Sequence, residues 1–281
     1  MTFAERELRF TFSGAKSGSF SAEGLRAAVG VQAFPGRLGN QAQVKVWGMS
    51  LAQMNAYSSP LSAAVAAENF RLTIDAGDMG GGLSQLIDGL ILRSFIDLSG
   101  APDSSFNVTM IDTFVQAAPI AAQSQPGPQN AENLIASLCA AAGFGFNNNG
   151  AHAVLRNQST YGSAIDQIEK VAQAAQFHWY FDGTTVWIWP PGGTRDATVI
   201  EVGPNTDPAM VGYPQFWEAG ITVTSLYNPS IQLGRQMRVT SNLPNAQGLW
   251  DIIQVQHDLA TMLDGGPWFT TAILSAPGSG L

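Results

Sequence analysis

The sequence has 281 residues, 45% of them apolar and only 12% charged, against roughly 25% in typical soluble domains. Its 13 lysines and arginines are scattered and outnumbered by 21 aspartates and glutamates, so a phosphate-backbone binder built on a basic run is excluded. The length allows one large domain or two to three smaller ones, and so little surface charge fits a chain largely covered by other subunits.

The start, MTFAERELRF, lacks the apolar run of a signal peptide, which predicts synthesis and folding in a cytoplasm. No run of about 18 apolar residues predicts membrane insertion. LRFTFSG alternates Leu8, Phe10 and Phe12 with polar residues, the period of a strand with one covered face. SGAKSGSFS contains Lys16 but misses the GxxxxGK[ST] spacing of a phosphate loop. QAQVKVWGMS repeats the alternation with Val44 and Val46 around Lys45. SLAQMNAYS then places Leu51, Met54 and Tyr57 at helical spacing behind a Ser50 cap. NFRLTIDAGD, LILRSFID and SSFNVTMIDTF are three further alternating runs. AGDMGGG (Ala76 to Gly82) lacks the GxGxxG order and predicts a turn. Up to about Val115 the expectation is five or six strands and one short helix, curled into a barrel or sandwich.

QAAPIAAQSQPGPQNAE, with Pro126 and Pro128 around Gly127, predicts a boundary or linker. Asn130 then caps a helix with the stripe Leu134, Ile135, Leu138, Cys139 and Ala142, closed by Gly143. Cys139 is the sole cysteine, so no internal disulfide can form, and its apolar face predicts a buried core thiol. NNNG turns the chain into the short strand AHAVLRN. A second helix carries Ile165, Ile168, Val171, Ala172 and Ala175, and FHWYFDGTTVWIWPP is a hairpin turning at Asp182-Gly183. Trp179, Tyr180, Phe181, Trp187 and Trp189 alternate faces on that hairpin, which favours core or subunit interface over a sugar-stacking platform.

From about Thr198 the chain is again strand and turn. GITVTSLYNPSIQLGRQMRVTS reads as two strands around a bend holding Asn228, Pro229 and Gly234, and further on Ile253, Val255 and His257 alternate with Gln254 and Gln256. His152, His178 and His257 lie far apart on different predicted strands and form no HxH, HxxxH or CxxC ligand pair, so neither metal nor cofactor is expected. No GxSxG elbow occurs. Glu169, on a helix, and Asp182, in a turn, have ordinary structural roles, and no catalytic carboxylate pair stands out.

MVGYPQFWEAGITVTSLYNPSIQLGRQMRVTS resembles a stretch of the baseplate hub proteins of tailed phages: glycine-x-proline, an alternating strand, Leu-x-Asn-Pro, then glycine before the next strand. The matching residues are Gly212, Pro214, Leu226, Asn228, Pro229 and Gly234. Gly248, Trp250, Val255 and His257 match the following glycine, aromatic and h-x-V-x-H strand. NQAQVKVWGMSLAQMNAYS and TIDAGD…LILRSFID resemble the first hub domain, although Asp78 replaces its aromatic and Arg93-Ser94 stand where glycine is usual. AENLIASLCAAAGF onward is similar to the middle module.

The resemblance implies a mainly β fold with an α+β insert: two barrel-like tube domains, 1–118 and 197–281, bracketing a helix-strand-helix-hairpin module at 119–196. It implies a non-enzymatic virion protein, assembled in the host cytoplasm, whose homotrimer forms a pseudo-sixfold ring joining the tail tube to the central spike. The implied partners are further copies, the tube or its distal initiator, the spike, and as a further candidate the tape-measure protein. DNA would cross the lumen without specific binding, repelled by an acidic wall. The rival expectation is a virion-associated carbohydrate-active or peptidoglycan-degrading protein using the aromatic hairpin and an acid pair. A third is the equivalent hub of a type VI secretion spike or a phage-like bacteriocin.

Overall fold

The computed structural model describes residues 5–14, 18–36, 38–58, 70–112 and 122–278. Lys16 and the expected boundary at 118–119 lie outside them. The chain forms two compact units: residues 1–32, 40–114 and 256–269 in one, and residues 33–39, 115–255 and 270–281 in the other. The architecture is mainly β.

The first unit contains β1 (Arg6–Gly14), β2 (Gly18–Ala22), β3 (Ala27–Ala33), β4 (Asn40–Trp47), α1 (Leu51–Tyr57), β5 (Arg71–Asp78), β6 (Gly82–Asp97) and β7 (Ser105–Ile111). Their order is β3-β4-β7-β6-β5-β1-β2. Phe10 and Phe12 of β1 lie opposite Ile74 and Leu72 of β5, and all four side chains are buried, as alternation along a one-sided sheet requires. Phe12 packs its ring 5.2 Å from Tyr57 and 6.0 Å from Phe106. Ser50 and Gln53 form a reciprocal capping box that starts α1. Met54 and Tyr57 turn inward, whereas Leu51 is exposed.

The expectation of five or six strands falls short, because β1 to β7 are seven. The two omitted are β2, whose GSFSA is weakly strand-forming, and β3, whose buried face is the small-residue series Ala27, Val29, Val31 and Ala33. Among the described residues the strand order does not close into a barrel.

The second unit begins with β8 (Gln123–Asn130), α2 (Ala131–Ala142), β9 (Gly145–Asn148), β10 (Val154–Thr160), α3 (Ala164–Ala175), β11 (His178–Phe181) and β12 (Thr185–Trp189). The proline-rich stretch expected as a linker is instead strand β8, paired antiparallel with β10. A two-stranded ladder needs hydrogen bonds on one side only, which Pro126 and Pro128 tolerate. Asn157 at φ 54 accompanies a register shift in β10 opposite them. Asn130 occupies the cap position of α2 but makes no side-chain capping bond, while Gly143 closes the helix in the left-handed conformation. The module also has one strand more than expected, β9, parallel to β12.

Ile135, Leu138, Cys139, Ile168, Val171, Phe181 and Ile188 form the buried core of this module. Burial pushes the Cys139 thiol up to about 12, so it is a core side chain and no nucleophile. The aromatic hairpin is core as well: Trp179, Tyr180, Phe181 and Trp189 are buried. Asp182 organises its turn, accepting from Thr184 N, Thr185 N and Trp187 Nε1.

The unit continues with β13 (Val199–Val202), β14 (Gln215–Trp217), β15 (Gly220–Leu226), β16 (Gln236–Val239), a 3₁₀ turn at Pro244–Ala246, β17 (Gly248–Thr261) and β18 (Trp268–Ser275); residues 256–269 of the last two belong to the first unit. β15 lies between β14 and β18, while β16 lies between β13 and β17. The two strands expected around one bend are β15 and β16, which do not pair with each other, and β13 runs parallel to β16. Ile221, Val223, Met237, Val239, Ile252 and Leu274 fill the core between them. Gly220 permits this packing, since a Cβ there would lie only 1.9 Å from the Leu274 carbonyl oxygen.

Candidate assembly site

The resemblance motif falls into three places, the first two of them within the second unit. Asn228, Pro229 and Gly234 form the loop after β15. Asn228 Oδ1 accepts from Ser230 N at 2.8 Å, an Asx turn, and Gln232 Nε2 donates to the Pro229 carbonyl at 3.0 Å. Gly234 adopts φ 81; its N–H donates to Ile252 O and its carbonyl accepts from Arg195 N.

Arg195 locks this loop. Its side chain is buried, with Nη2 donating to Gln232 Oε1 at 2.5 Å and the guanidinium 4.5 Å from the Trp187 ring centroid. Asp196 Oδ2 stands 3.6 Å from Arg195 Nε and accepts from Arg235 Nε at 2.8 Å. Arg235 Nη1 donates in turn to Ser230 O. Burial, and then the neighbouring Arg235 cation, lower the Arg195 pKa. Burial alone would raise the Asp196 carboxyl, but bonds from Arg235 and Thr198 hold it below the usual carboxylate range.

The arrangement ties the aromatic hairpin to the Asn-Pro loop through a charge that stays paired. Arg195→Lys removes the planar stacking and the fixed fork, and the expected loss is about 1–3 kcal/mol of stability in urea unfolding followed by tryptophan fluorescence. Sequence reading misses Arg195, Gln232 and Arg235, because each is an ordinary polar residue until three chain segments converge.

Gly212, Pro214 and Leu226 belong to a second place, the β14–β15 edge. Leu226 N donates to Ala209 O, and Val211 N to Thr224 O. Pro214 is buried, while Gly212 at φ 75 turns the chain into β14. Among the described residues β14 pairs with β15 alone and ends the strand order. Around it Tyr213 is 67% exposed, Phe216 57%, Trp217 41%, Leu226 41% and Val211 39%. No charged residue occurs from Pro208 to Trp217. Large apolar side chains gathered on an uncharged strand edge mark an interaction surface.

The remaining motif residues lie on β17. Gly248 and Trp250 face Val239 and Met237 of β16, and Trp250 Nε1 donates to Ala246 O. His257 lies further along, buried within the other unit, and burial lowers its pKa to about 4.

His152 precedes β10 instead of lying on a strand; it is exposed, its Nδ1 3.1 Å from Glu132 Oε1. His178 has its pKa lowered, chiefly by burial. No group of three or more potential ligands capable of holding a metal occurs among the described residues. None of the described helices is long and apolar enough to cross a membrane.

The first unit gathers carboxylates that are far apart in sequence. Glu5, Glu7, Glu23 and Asp264 line a cavity of about 750 Å³ with Arg6, Met79 and Met262. Two of the acids are engaged by one cation: Arg9 lies 3.7 Å from Glu7 and 2.5 Å from Glu23.

Compared with known proteins, residues 8–272 match the model of the family described as baseplate hub gp41. No curated protein sequence matches the chain significantly. Among solved structures, a tail protein from Neisseria meningitidis MC58 is similar with TM-score 0.65 and 8% identity, over 96% of this chain and 97% of that one. The 43 kDa tail protein of prophage MuSo2 from Shewanella oneidensis gives 0.62 and 10%, over 98% and 97%. The E. coli c3393 protein, a component of the type VI secretion system with structural similarity to T4 bacteriophage tail proteins gp27 and gp5, gives 0.57 and 11%, over 92% and 75%. At such identities the likeness is one of fold.

Proposed function

The chain belongs to the baseplate hub gp41 family, and from that membership we propose that three copies form a ring joining a phage tail tube to the central spike. Each copy contributes two tube domains, 1–118 and 197–281, with the module at 119–196 between them, so that the trimer presents pseudo-sixfold symmetry to the tube and threefold symmetry to the spike. The observation that carries this reading is the uncharged apolar edge of β14, a surface fit for permanent cover in an assembly. The motif residues hold that edge and its loop in shape and are not chemical groups.

The partners are further copies of the chain, the tube or its initiator, and the spike; DNA crosses the lumen unbound. The net charge of −8 suits a wall that repels phosphate. Immunogold labelling of intact particles tests the position: label at the tail end distal to the head is expected, and label on the capsid contradicts it. The likeness to a type VI secretion component supports the same role in a related injection machine.

The carboxylate-lined cavity of the first unit favours a second reading, a carbohydrate-active virion protein. Arg9 engages two of its four acids, Glu7 and Glu23, and from the family membership we hold the protein to be non-enzymatic. A peptidoglycan gel overlaid with the purified chain is expected to stay opaque; clearing that Glu7→Gln abolishes would establish the second reading instead.

A further inference from the structure

We propose that a second cavity of the first unit, lying over the middle of its sheet, binds a neutral sugar ring. It measures about 190 Å³, below the roughly 300–1,000 Å³ of drug-sized sites, which suits one ring with the rest of a glycan outside. Its walls come from four strands in the order β17-β3-β4-β7. Gln256 and Asp258 stand on β17, and Gly30 and Gln32 on β3. Gln41 and Gln43 on β4 face Thr109 on β7, with Gln43 directly opposite the threonine. The site shares no residue with the carboxylate cavity.

Two features separate this surface from an ordinary solvated sheet face. The first is preorganisation. Gln32 Nε2 donates to Gln256 Oε1 at 3.2 Å, and Gln256 Nε2 donates to Asp258 Oδ1 and Oδ2 at 3.1 and 2.8 Å. This chain fixes three side chains before a ligand arrives. Among the described residues the side chains of Gln41, Gln43 and Thr109 have no bonding partner, so their amide and hydroxyl groups are available. The second feature is Gly30, which sits in the middle of β3 without a positive φ, so no turn demands it. A glycine there weakens the strand and marks close approach to the backbone. A Cβ at this position would lie 3.5 Å from Asp258 Oδ1, on the cavity floor.

The lining selects the ligand by exclusion. Asp258 is its one charged side chain among the described residues, so a phosphate, sulfate or carboxylate meets no counter-charge. Ala42 is its one apolar side chain, too little for a lipid or an apolar peptide anchor. β17, β3, β4 and β7 are each paired on both sides, so an extended peptide cannot add to them as a strand. A neutral ligand that both donates and accepts remains. Glutamine amides and a threonine hydroxyl do both, as sugar hydroxyls do. With a single carboxylate the site binds without cutting, because glycoside hydrolysis uses a pair.

Saturation-transfer NMR of the full chain with maltotetraose, chitotetraose and dextran sulfate tests the assignment. Transfer to at least one of the two neutral sugars is expected, with a dissociation constant on the order of 1 mM, since hydrogen bonds exchanged against water supply the affinity. Gly30→Val fills the cavity and suits a strand better than glycine, so the unfolding midpoint should not fall while sugar binding is lost. Gln43→Ala, at an exposed position, should weaken binding by on the order of 10-fold with the midpoint unchanged. A parent chain that binds neither neutral sugar at concentrations about tenfold above that constant, or binds dextran sulfate alone, overturns the proposal. Sugar binding that both variants retain at parental strength places the ligand elsewhere and overturns it equally. None of these results bears on the trimeric ring, which stands or falls separately.

Discussion

Gly234→Ala is expected to cost about 2–5 kcal/mol in urea unfolding followed by tryptophan fluorescence, against about 1–2 kcal/mol for Gly212→Ala. Both glycines hold similar positive φ, 81 and 75, so the backbone cost of a Cβ is alike. Their surroundings differ. A Cβ at 212 meets nothing within 4 Å, whereas one at 234 lies 2.8 Å from the Trp189 ring and 2.9 Å from Arg195 Cβ. Trp189 is buried against Leu233 and Tyr180, and Arg195 is held by Gln232, so neither can withdraw cheaply. The difference between the variants measures how firmly the Asn-Pro loop is seated on the aromatic hairpin. Equal losses would mean that the loop contributes only a turn.

Acid should destabilise the chain through His257. Its pKa in the folded protein, about 4, lies below the ordinary imidazole value of 6.5, because burial disfavours the charged ring. The unfolded chain therefore binds the proton more readily. Stability is fully present above pH 6.5 and falls as pH drops towards 4, by about 3 kcal/mol from this group over the whole interval. His178, also lowered by burial, acts in the same direction. The variant His257→Gln isolates the His257 share: its stability at neutral pH starts lower, and its decline between pH 6.5 and 5 should be shallower by about 2 kcal/mol. Parallel slopes for parent and variant would show that folding does not lower the His257 pKa. The prediction concerns the last stretch of β17, where the resemblance marks a histidine and the structure gives it a buried core position.

Period-two alternation located β1, β4, β5, β7 and β15, because each has one covered face that only apolar side chains can occupy. Both helices of the middle module and the Asp182-Gly183 turn were legible for similarly local reasons, in a 3.6-residue stripe and a turn dipeptide. What was illegible depends on partners distant in sequence. β8 looks like a linker until β10 pairs with it, and β3 is hidden by its small residues. β15 and β16 read as two strands around a bend, and only the strand order gives their neighbours, β18 and β14 for one, β13 and β17 for the other.

The candidate site divides in the same way. Asn228, Pro229 and Gly234 announce a turn by residue type, but Arg195, which fixes it, carries no local signal. Val211 to Trp217 enters the sequence reading only as part of the resemblance motif, and the strand order shows that among the described residues β14 pairs with β15 alone. The Glu5, Glu7, Glu23 and Asp264 cavity was invisible for the same reason, as its walls come from opposite ends of the chain.

The account turns on copies of this chain completing one another. Native mass measurement of the purified protein, across concentration, tests that most directly. The expected result is a species of three times 29.7 kDa that dissociates without intermediate trapping when Phe216 and Trp217 are both made lysine. A stable 29.7 kDa monomer at high concentration, with the β14 edge still open to solvent, would contradict it.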